Sequence, residues 1–169
     1  STDKLGGANL HNFHAFTPTV ANIRPTSRGE ISISSSDTKV NPKIKMNYLS
    51  TEEDRKVAAD GIKLIRKIVM DTNEFKKYEP EEFRPGSHLN DKEEIVKACS
   101  HYAQTIFHPV GTCKMGNDDS AVVSDKLKVH GLNKLRVIDA SIMPNITSGN
   151  TNAPTIMIAE KGADMILNP

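Results

Sequence analysis

The sequence predicts an α+β fold from three observations. Short runs of alternating apolar residues occupy residues 10–49, two amphipathic helical stretches follow, and a strand-like run leads into a last helix. A chain of 169 residues is long enough for one core, at roughly 100–200 residues per domain. We therefore expect a mixed, mainly antiparallel sheet packed by helices.

The sheet is predicted over residues 10–49. Three stretches are rich in apolar and β-branched residues, and turn-forming pairs that contain Pro or Gly separate them. The expected strands are residues 13–21, 30–34 and 43–48. The region should therefore fold as strands that reverse direction at short turns.

The first helix is predicted over residues 51–70. Ser50 and Glu53 form a capping box, in which Ser50 accepts from the N–H of Glu53 and the Glu53 side chain reaches back. Apolar residues at helical spacing follow. The polar residues 71–88, interrupted by Pro and Gly, are expected to be a long surface connection.

A second helix should begin at Asn90 and carry acidic residues in its first turn. It should end near Phe107, because Pro109 disfavours helical geometry at the residue before it. Farther along, residues 135–138 are apolar and β-branched and predict a buried strand. Residues 147–152 form a small-residue loop, and Pro154 suits the first turn of a last helix.

Composition excludes several classes of protein. The chain has 22 Lys and Arg against 21 Asp and Glu, a formal charge of +1, so a nucleic-acid partner is not expected. Apolar runs are far shorter than the ~18 residues of a membrane span, and residues 1–20 lack a signal-peptide pattern. We expect a soluble cytoplasmic protein in which Cys99 and Cys113 are buried free thiols.

The first candidate site is the segment His108-Pro109-Val110-Gly111-Thr112, which continues to Gly116. It places an imidazole beside a proline-fixed backbone and a glycine-containing turn. A histidine held in this way can accept a proton near neutral pH. The alternative is a histidine that caps the preceding helix, and spacing alone favours that alternative.

The second candidate site is the loop from Ser148 to Thr155, which runs into a helix start. Free N–H groups and the helix dipole stabilise negative charge there. The alternative is an ordinary N-cap by Thr151 or Asn152. Asp139, which follows the predicted strand, could lie at a ligand-binding sheet edge or cap a turn.

Two further patterns are set aside. His11 and His14 have metal-like spacing, but in a strand their side chains would point to opposite faces. Cys113 with His108 could suggest a thiol protease, but no nucleophile signature surrounds the cysteine. We therefore predict no metal site.

Several ordered blocks together resemble one family, the glucose-methanol-choline flavoenzymes, and most of all its choline-dehydrogenase-like branch. Each block is weak alone, but their order and separations are family-like. The blocks are Arg24-Pro25-Thr26-Ser27-Arg28-Gly29, Asn47-Tyr48-Leu49, residues 108–116, 121–124, 127–132 and 135–144, and residues 148–154.

The resemblance implies a role for each matching residue. His108 would be the active-site base that faces the flavin and the substrate hydroxyl, and Asn150 the second member of the catalytic pair. The backbone of Asp139 and Ala140 would touch the ribityl and diphosphate of FAD. The cofactor-contacting loop and helix start would comprise Asn150, Thr151, Asn152, Ala153, Pro154 and Thr155.

The family's nucleotide-binding part is not found in this sequence. A G-x-G-x-x-G fingerprint should precede these blocks, and none occurs. We expect residues 1–134 to be a substrate-binding domain and residues 135–169 to complete an FAD-binding domain whose N-terminal portion is missing. The partners would be that portion and a small alcohol, and this chain alone should neither hold FAD nor turn over.

Three further expectations concern the function, a possible ligand cage and the C-terminal segment. The alternative function is a stand-alone ligand-binding or structural domain without catalysis. Four aromatic residues could contribute to a cage for a quaternary ammonium, although core packing is the likelier role for most of them. They are Phe13, Phe16, Tyr102 and Phe107.

Without the FAD-binding portion, residues 135–167 should be poorly supported, because their strand would leave unpaired edge groups exposed.

Overall fold

The computed structural model describes residues 10–168, which separate into two compact units. One unit comprises residues 10–22 together with Tyr48–Ile106, and it contains three helices. The other comprises Ile23–Asn47 and residues 107–168, and it contains a two-stranded sheet, a 3-10 turn and one helix. Both element types are present, which confirms the α+β class. We call the two the helical unit and the loop unit.

The helical unit is built on α1 (Glu52–Asp71), α2 (Asn73–Lys76) and α3 (Lys92–Tyr102). Helices α1 and α3 pack together, and Ala59 and Ile95 are fully buried. The apolar residues at helical spacing that predict α1 are half-buried at most, and Ile68 is 45% exposed. Because the two buried side chains are of modest size, the core of this unit is small.

The predicted helix ends are close but shifted. The N-cap of α1 is Thr51 and not Ser50: the Thr51 hydroxyl accepts from the N–H of Asp54 at 3.3 Å. Asp91 caps α3 by accepting from the N–H groups of Glu93 and Glu94. Helix α3 ends at Tyr102 and does not continue to Phe107, so the restriction before Pro109 is not what ends it.

The connection between α2 and α3 is ordered by one half-buried ion pair. The Arg66 guanidinium binds both carboxylate oxygens of Glu82, at 2.9 and 3.0 Å, and also donates to the carbonyls of Gly86 and Leu89. Glu82 in turn accepts from the N–H of Gly86 at 3.1 Å. A polar sequence without periodicity therefore has a defined conformation.

The predicted strand at residues 13–21 is wrong. This segment pairs with no strand among the described residues. A Cβ added to Gly61 of α1 would come within 2.6 Å of the Val20 side chain, and Phe16 stacks on Phe75 of α2. Two of its apolar residues thus contact helices and not a neighbouring strand.

The sheet of the loop unit is smaller than predicted. It consists of β1 (Glu30–Ser32) and β2 (Lys43–Lys45), which are antiparallel with Ile31 opposite Ile44. All six strand residues are exposed. The alternation within residues 30–34 and 43–48 therefore predicts the hairpin but not its short length.

The core of the loop unit is formed largely by residues outside regular elements. Five buried apolar residues cluster there, and α4 (Asn152–Leu167) contributes one of them. The cluster is Val123, Leu127, Ile142, Met143 and Ile158. Residues 135–167 are therefore packed against residues 107–134 within this unit, contrary to the expectation that they would be poorly supported.

The predicted strand at residues 135–138 is also wrong. It makes a single bridge, between Lys128 and Arg136, and leads directly into a 3-10 turn at Ala140–Ile142. Its other neighbour is α4, where a Cβ on Gly162 would come within 2.4 Å of the Ile138 side chain. Glycine at 162 therefore lets the helix approach closely.

Candidate functional site

His108 lies on a loop that is fixed at both ends by backbone geometry. Phe107, just before it, has a left-handed φ of 63°, and Gly111, just after it, has a φ of 89°. A Cβ at Gly111 would also lie 3.3 Å from the carbonyl oxygen of Met143. The glycine is thus required both by its conformation and by a close backbone neighbour.

Farther along, the same loop is hydrogen-bonded to the 3-10 turn. The N–H of Cys113 donates to the carbonyl of Ser141 at 3.0 Å, and the N–H of Met115 donates to the carbonyl of Ile142 at 2.8 Å. Because Ile142 belongs to the buried cluster, the loop that carries His108 is tied to the core of its own unit.

Asn150 and Thr151 lie at the start of α4 and both contact the His108 ring. The Asn150 amide oxygen is 3.1 Å from His108 Nε2, and the Thr151 hydroxyl is 3.0 Å from His108 Nδ1. His108 is half-buried, Asn150 is exposed and Thr151 is buried. The structure therefore brings together two residues that are 42 positions apart in sequence.

The structural alternative is wrong for His108 and correct in position for Thr151. His108 does not cap α3, since that helix ends at Tyr102 and its C-cap is Ala103. Thr151 is the N-cap residue of α4, but its side chain makes no capping hydrogen bond to that helix and its hydroxyl contacts His108. The two candidate segments thus meet in one site.

The loop before Asn150 is held by two arginines whose part in the site the sequence reasoning missed. Arg24 Nε donates to the Ser148 hydroxyl at 2.8 Å, and Arg28 Nη2 donates to the Asn145 side chain at 2.6 Å. Ser148 has a left-handed φ of 60°, so this support acts where the backbone is unfavourable. The signal available in the sequence was a pair of arginines four positions apart, the first of which precedes a proline.

The remaining predicted cofactor residues lie at two places in the loop unit. Asp139 is exposed, and its carboxylate caps the 3-10 turn by accepting from the N–H of Ser141 at 2.8 Å. The turn-capping alternative for Asp139 is therefore correct for its side chain. Ala140 lies in the 3-10 turn. The remaining residues, Asn152, Ala153, Pro154 and Thr155, lie in the first turn of α4, where Asn152 and Ala153 are exposed.

The aromatic residues considered for a cage make separate contacts. Phe13 packs edge-on against Phe83, and Phe16 stacks on Phe75. Tyr102 lies under the Arg84 guanidinium, 5.1 Å from it, and Arg84 also covers Phe83. Three of the four residues are thus engaged within the helical unit. Phe107 belongs to the loop unit and is 72% exposed.

The cysteines are free and half-buried. Burial raises the pKa of the Cys99 thiol, which makes it less reactive. Within residues 10–168, no group of three or more His, Cys, Asp and Glu side chains is arranged to hold a metal ion. No helix in that same range is long and apolar enough to cross a bilayer.

The imidazole and the amide of this pair can act together on one hydroxyl group. Neutral imidazole accepts a proton at its unprotonated nitrogen, and a carboxamide offers both a donor and an acceptor. The nearby start of α4 adds N–H groups and the positive end of a helix dipole. Such an arrangement is typical of enzymes that remove a proton while negative charge develops close by.

The chain belongs to the GMC oxidoreductase family. Residues 25–159, most of the sequence, match that family. This range includes His108, Asn150 and Thr151. The similarity to the glucose-methanol-choline flavoenzymes inferred from separate sequence blocks is thereby confirmed.

Individual relatives agree with this assignment. The chain is 47% identical over 160 residues to an oxygen-dependent choline dehydrogenase of Proteus mirabilis and 46% identical to one of Pseudomonas putida. These alignments cover 95% of the chain but only 29% and 28% of the two relatives. The chain thus spans less than a third of the length of these relatives.

Solved structures of related enzymes share the fold. A pyridoxine 4-oxidase from Mesorbium loti superposes with a TM-score of 0.80 at 35% identity, over 87% of this chain and 28% of the other. A formate oxidase of Aspergillus oryzae RIB40, studied for its FAD modification, gives a TM-score of 0.78 at 32% identity, over 90% and 28%. FAD is therefore a cofactor within this group of similar proteins.

Proposed function

We propose that this chain is the substrate-facing part of an FAD-dependent oxidoreductase that oxidises a choline-like alcohol, with His108 as the base. The observation that carries the proposal is the hydrogen-bonded pair of His108 and Asn150 at the start of α4. The names of the relatives support the choline-like substrate. The chain spans less than a third of the length of those relatives, which supports a further, FAD-binding portion in the full-length protein.

The residues present fit an anionic cofactor at the start of α4. Pro154 lacks an N–H, and the Thr151 hydroxyl is directed to His108, so the remaining first-turn N–H groups are not capped by that side chain. Asn152 and Ala153 are exposed, and a Cβ on Gly149 would meet no atom within 4 Å. The surface is thus open and favourable to negative charge. When bound there, FAD would accept a hydride from the alcohol carbon.

His108 would take the hydroxyl proton of the alcohol. As the C–H bond gives up its electron pair with the hydride, the O–H bond breaks, its proton moves to the His108 ring, and a carbonyl forms. General-base catalysis of this kind contributes roughly 10²- to 10⁴-fold to rate. The orientation of the His108 ring is fixed, because both of its nitrogens have hydrogen-bond partners.

Asn150 would bind the substrate oxygen while negative charge develops on it. Its amide lies within hydrogen-bond distance of His108 Nε2, so a hydroxyl bound beside the pair could reach both side chains. Asn150 is exposed, whereas Thr151 on the other side of the ring is buried, so substrate would approach from the Asn150 side. The amide would donate to the oxygen but would not take its proton.

The test uses the full-length, FAD-containing protein and choline as the substrate. His108→Ala should lower kcat/KM by roughly 10²- to 10⁴-fold while the flavin absorbance stays unchanged. Asn150→Ala should cost less, since it removes a hydrogen bond and not the proton acceptor. A His108→Ala enzyme with unimpaired turnover would refute the proposal. If FAD binds but no alcohol reduces it, the non-catalytic alternative is favoured.

A further inference from the structure

The loop before Asn150 has an unfavourable backbone conformation at one serine. Ser148 has a left-handed φ of 60°, which a residue with a Cβ keeps only when its surroundings hold it there. Gly149, the next residue, would adopt this conformation more easily but has no positive φ. A contact specific to Ser148 is therefore needed to explain why the serine, and not the glycine, has the left-handed backbone.

The Ser148 side chain has such a contact with Arg24. Arg24 Nε donates to the Ser148 hydroxyl at 2.8 Å, across 124 positions of the sequence. A guanidinium keeps its charge in proteins, and a charged donor makes a stronger hydrogen bond than a neutral one. Ser148 is half-buried, so its hydroxyl is partly shielded from competing water. This hydrogen bond can therefore hold the serine in its left-handed conformation.

Arg24 is itself part of an ordered turn. Pro25 follows it, and a residue before proline is biased toward an extended backbone. Arg28 donates to the carbonyls of Pro25 and Ser27, at 2.9 and 3.0 Å, and the Asn47 side chain donates to the Arg28 carbonyl at 2.9 Å. The donor that reaches Ser148 therefore comes from a segment with its own hydrogen bonds.

Asn150 lies between two anchored residues. On one side is Ser148, bound by Arg24. On the other is Thr151, which is 8% exposed and whose carbonyl accepts from an N–H of α4 at 3.1 Å. A Cβ on Gly149 would meet no atom within 4 Å, so the glycine gives the loop no side-chain packing of its own. The direction of the Asn150 side chain therefore depends on how Ser148 is held.

We propose that Arg24 is a positioning residue: by holding Ser148 it keeps the Asn150 amide beside His108. The inference rests on the proposed function, in which Asn150 binds the substrate oxygen. The Asn150 amide oxygen is 3.1 Å from His108 Nε2, so a loop displacement of about 1 Å takes this contact beyond hydrogen-bond range. Misplacement on that scale is enough to slow an enzymatic reaction substantially. Arg24 acts in this way without touching the substrate.

The first test compares two substitutions of Arg24 in the full-length, FAD-containing protein, with choline as the substrate. Arg24→Met puts a methyl group at the position of Nε, whereas Arg24→Gln puts an amide N–H there. We expect Arg24→Met to lower kcat and kcat/KM together by roughly 3- to 30-fold, the scale of one hydrogen bond, because Asn150 acts on developing charge. Arg24→Gln should recover most of the loss. Equal losses in the two variants would show that the Nε donor is not the group that matters.

The second test asks whether Arg24 acts through Asn150. In an Asn150→Ala background, Arg24→Met should have no further effect, because the group that it positions is absent. The same fold-loss in both backgrounds overturns the inference, since a general loss of structure would lower the rate in either. Ser148→Ala removes the acceptor and should match Arg24→Met, which keeps the inference testable if Arg24→Met does not fold. The control is Lys161→Met, which removes an exposed cation of the same unit and should match wild type.

A third readout does not depend on activity. Hydrogen exchange followed by mass spectrometry should show faster exchange of residues 146–152 in Arg24→Met and wild-type exchange in Arg24→Gln. Unchanged exchange in Arg24→Met overturns the inference, whatever the rate of turnover. If Asn150→Ala turns over like the wild type, the proposed role of Asn150 is wrong, and the exchange data show separately whether Arg24 holds the loop.

Discussion

The helical unit contains three of the four α-helices in the described part of the chain, whereas the loop unit contains the residues of the candidate site. In the helical unit, α1 and α3 pack together, and Ala59 and Ile95 are the only buried apolar side chains among its described residues. In the loop unit, long irregular segments surround a cluster of five buried apolar residues. His108, Asn150 and Thr151 all belong to the loop unit.

The difference shows that backbone outside helices and strands can be held by specific hydrogen bonds. The loop of His108 is bonded to the 3-10 turn, and the loop before Asn150 is bonded to Arg24 and Arg28. A loop can orient each side chain separately, whereas a helix places them at fixed intervals. The site is therefore built from the loops of its own unit and the start of α4.

The largest expected effects come from cutting into each core. Ile95→Ala and Ile158→Ala should each destabilise the protein by about 2–5 kcal/mol, because both side chains are buried. Hydrogen exchange followed by mass spectrometry should show faster exchange in α1 and α3 for Ile95→Ala. For Ile158→Ala it should be faster in the loops around His108 and Asn150. Identical exchange maps for the two variants would show that the units are not separate.

The ion pair of the helical unit should give the next largest effect. Glu82→Gln should cost about 2–3 kcal/mol, below the full cost of a broken buried pair, because Arg66 and Glu82 are 17% and 13% exposed. The matched control is Lys56→Met, which removes an exposed ion pair with Asp60 in the same unit and should cost less than about 1 kcal/mol. Denaturant unfolding measures both, and equal losses would contradict the special role of Arg66.

Gly162 should be sensitive to a single methyl group. Gly162→Ala places a Cβ against Ile138, and we expect a net loss of about 1–2 kcal/mol despite the better helix propensity of alanine. Gly149→Ala is the control in the same unit, since its Cβ would meet nothing within 4 Å, and it should stay within about 0.5 kcal/mol of wild type. A stabilised Gly162→Ala protein would mean that α4 can move away from residue 138.

The smallest effect concerns Asp118 in the loop unit. Hydrogen bonds from the Ser120 and Lys114 side chains lower the pKa of the Asp118 carboxyl from 3.8 to about 2. Because the folded-state pKa is the lower one, its contribution to stability is present above about pH 4 and disappears as the pH falls toward 2. Ser120→Ala should raise the pKa of Asp118 measured by NMR titration. An unchanged midpoint would show that the Ser120 hydroxyl is not its main partner.

The helices were predictable because their signals are local. The capping residues and the 3.6-residue period of α1 lie within one stretch, so the prediction of residues 51–70 differs from Glu52–Asp71 by one residue at each end. Residues 13–21 have the composition of a strand but pair with no strand among the described residues, and residues 135–138 make a single bridge, at Arg136. Whether an extended segment pairs with a strand or packs on a helix depends on distant residues, which local composition does not contain.

The site was predictable only in part. The approach of His108 to Asn150 spans 42 positions, and no local rule relates them, so the pairing came from the family resemblance. Local reasoning favoured a helix cap for His108, which is wrong, and for Thr151, which is the N-cap residue of α4 but makes no side-chain cap. Pro154, at the third position of α4, has no N–H that the Thr151 hydroxyl could bind. The roles of Asp139 and Ala140 toward FAD stay predictions.

The hydrogen bonds from Arg24 and Arg28 to the loop before Asn150 can form only late in the synthesis of the chain. Their partners follow 124 and 117 positions later in the chain. At roughly 5–20 residues per second, a ribosome needs about 6–25 s to make the stretch between them. Through that interval both guanidinium groups lack these partners, whereas the backbone hydrogen bonds within α1 join residues of one 20-residue stretch. The nascent chain can therefore form α1 well before the segment that carries Asn150 is held in place.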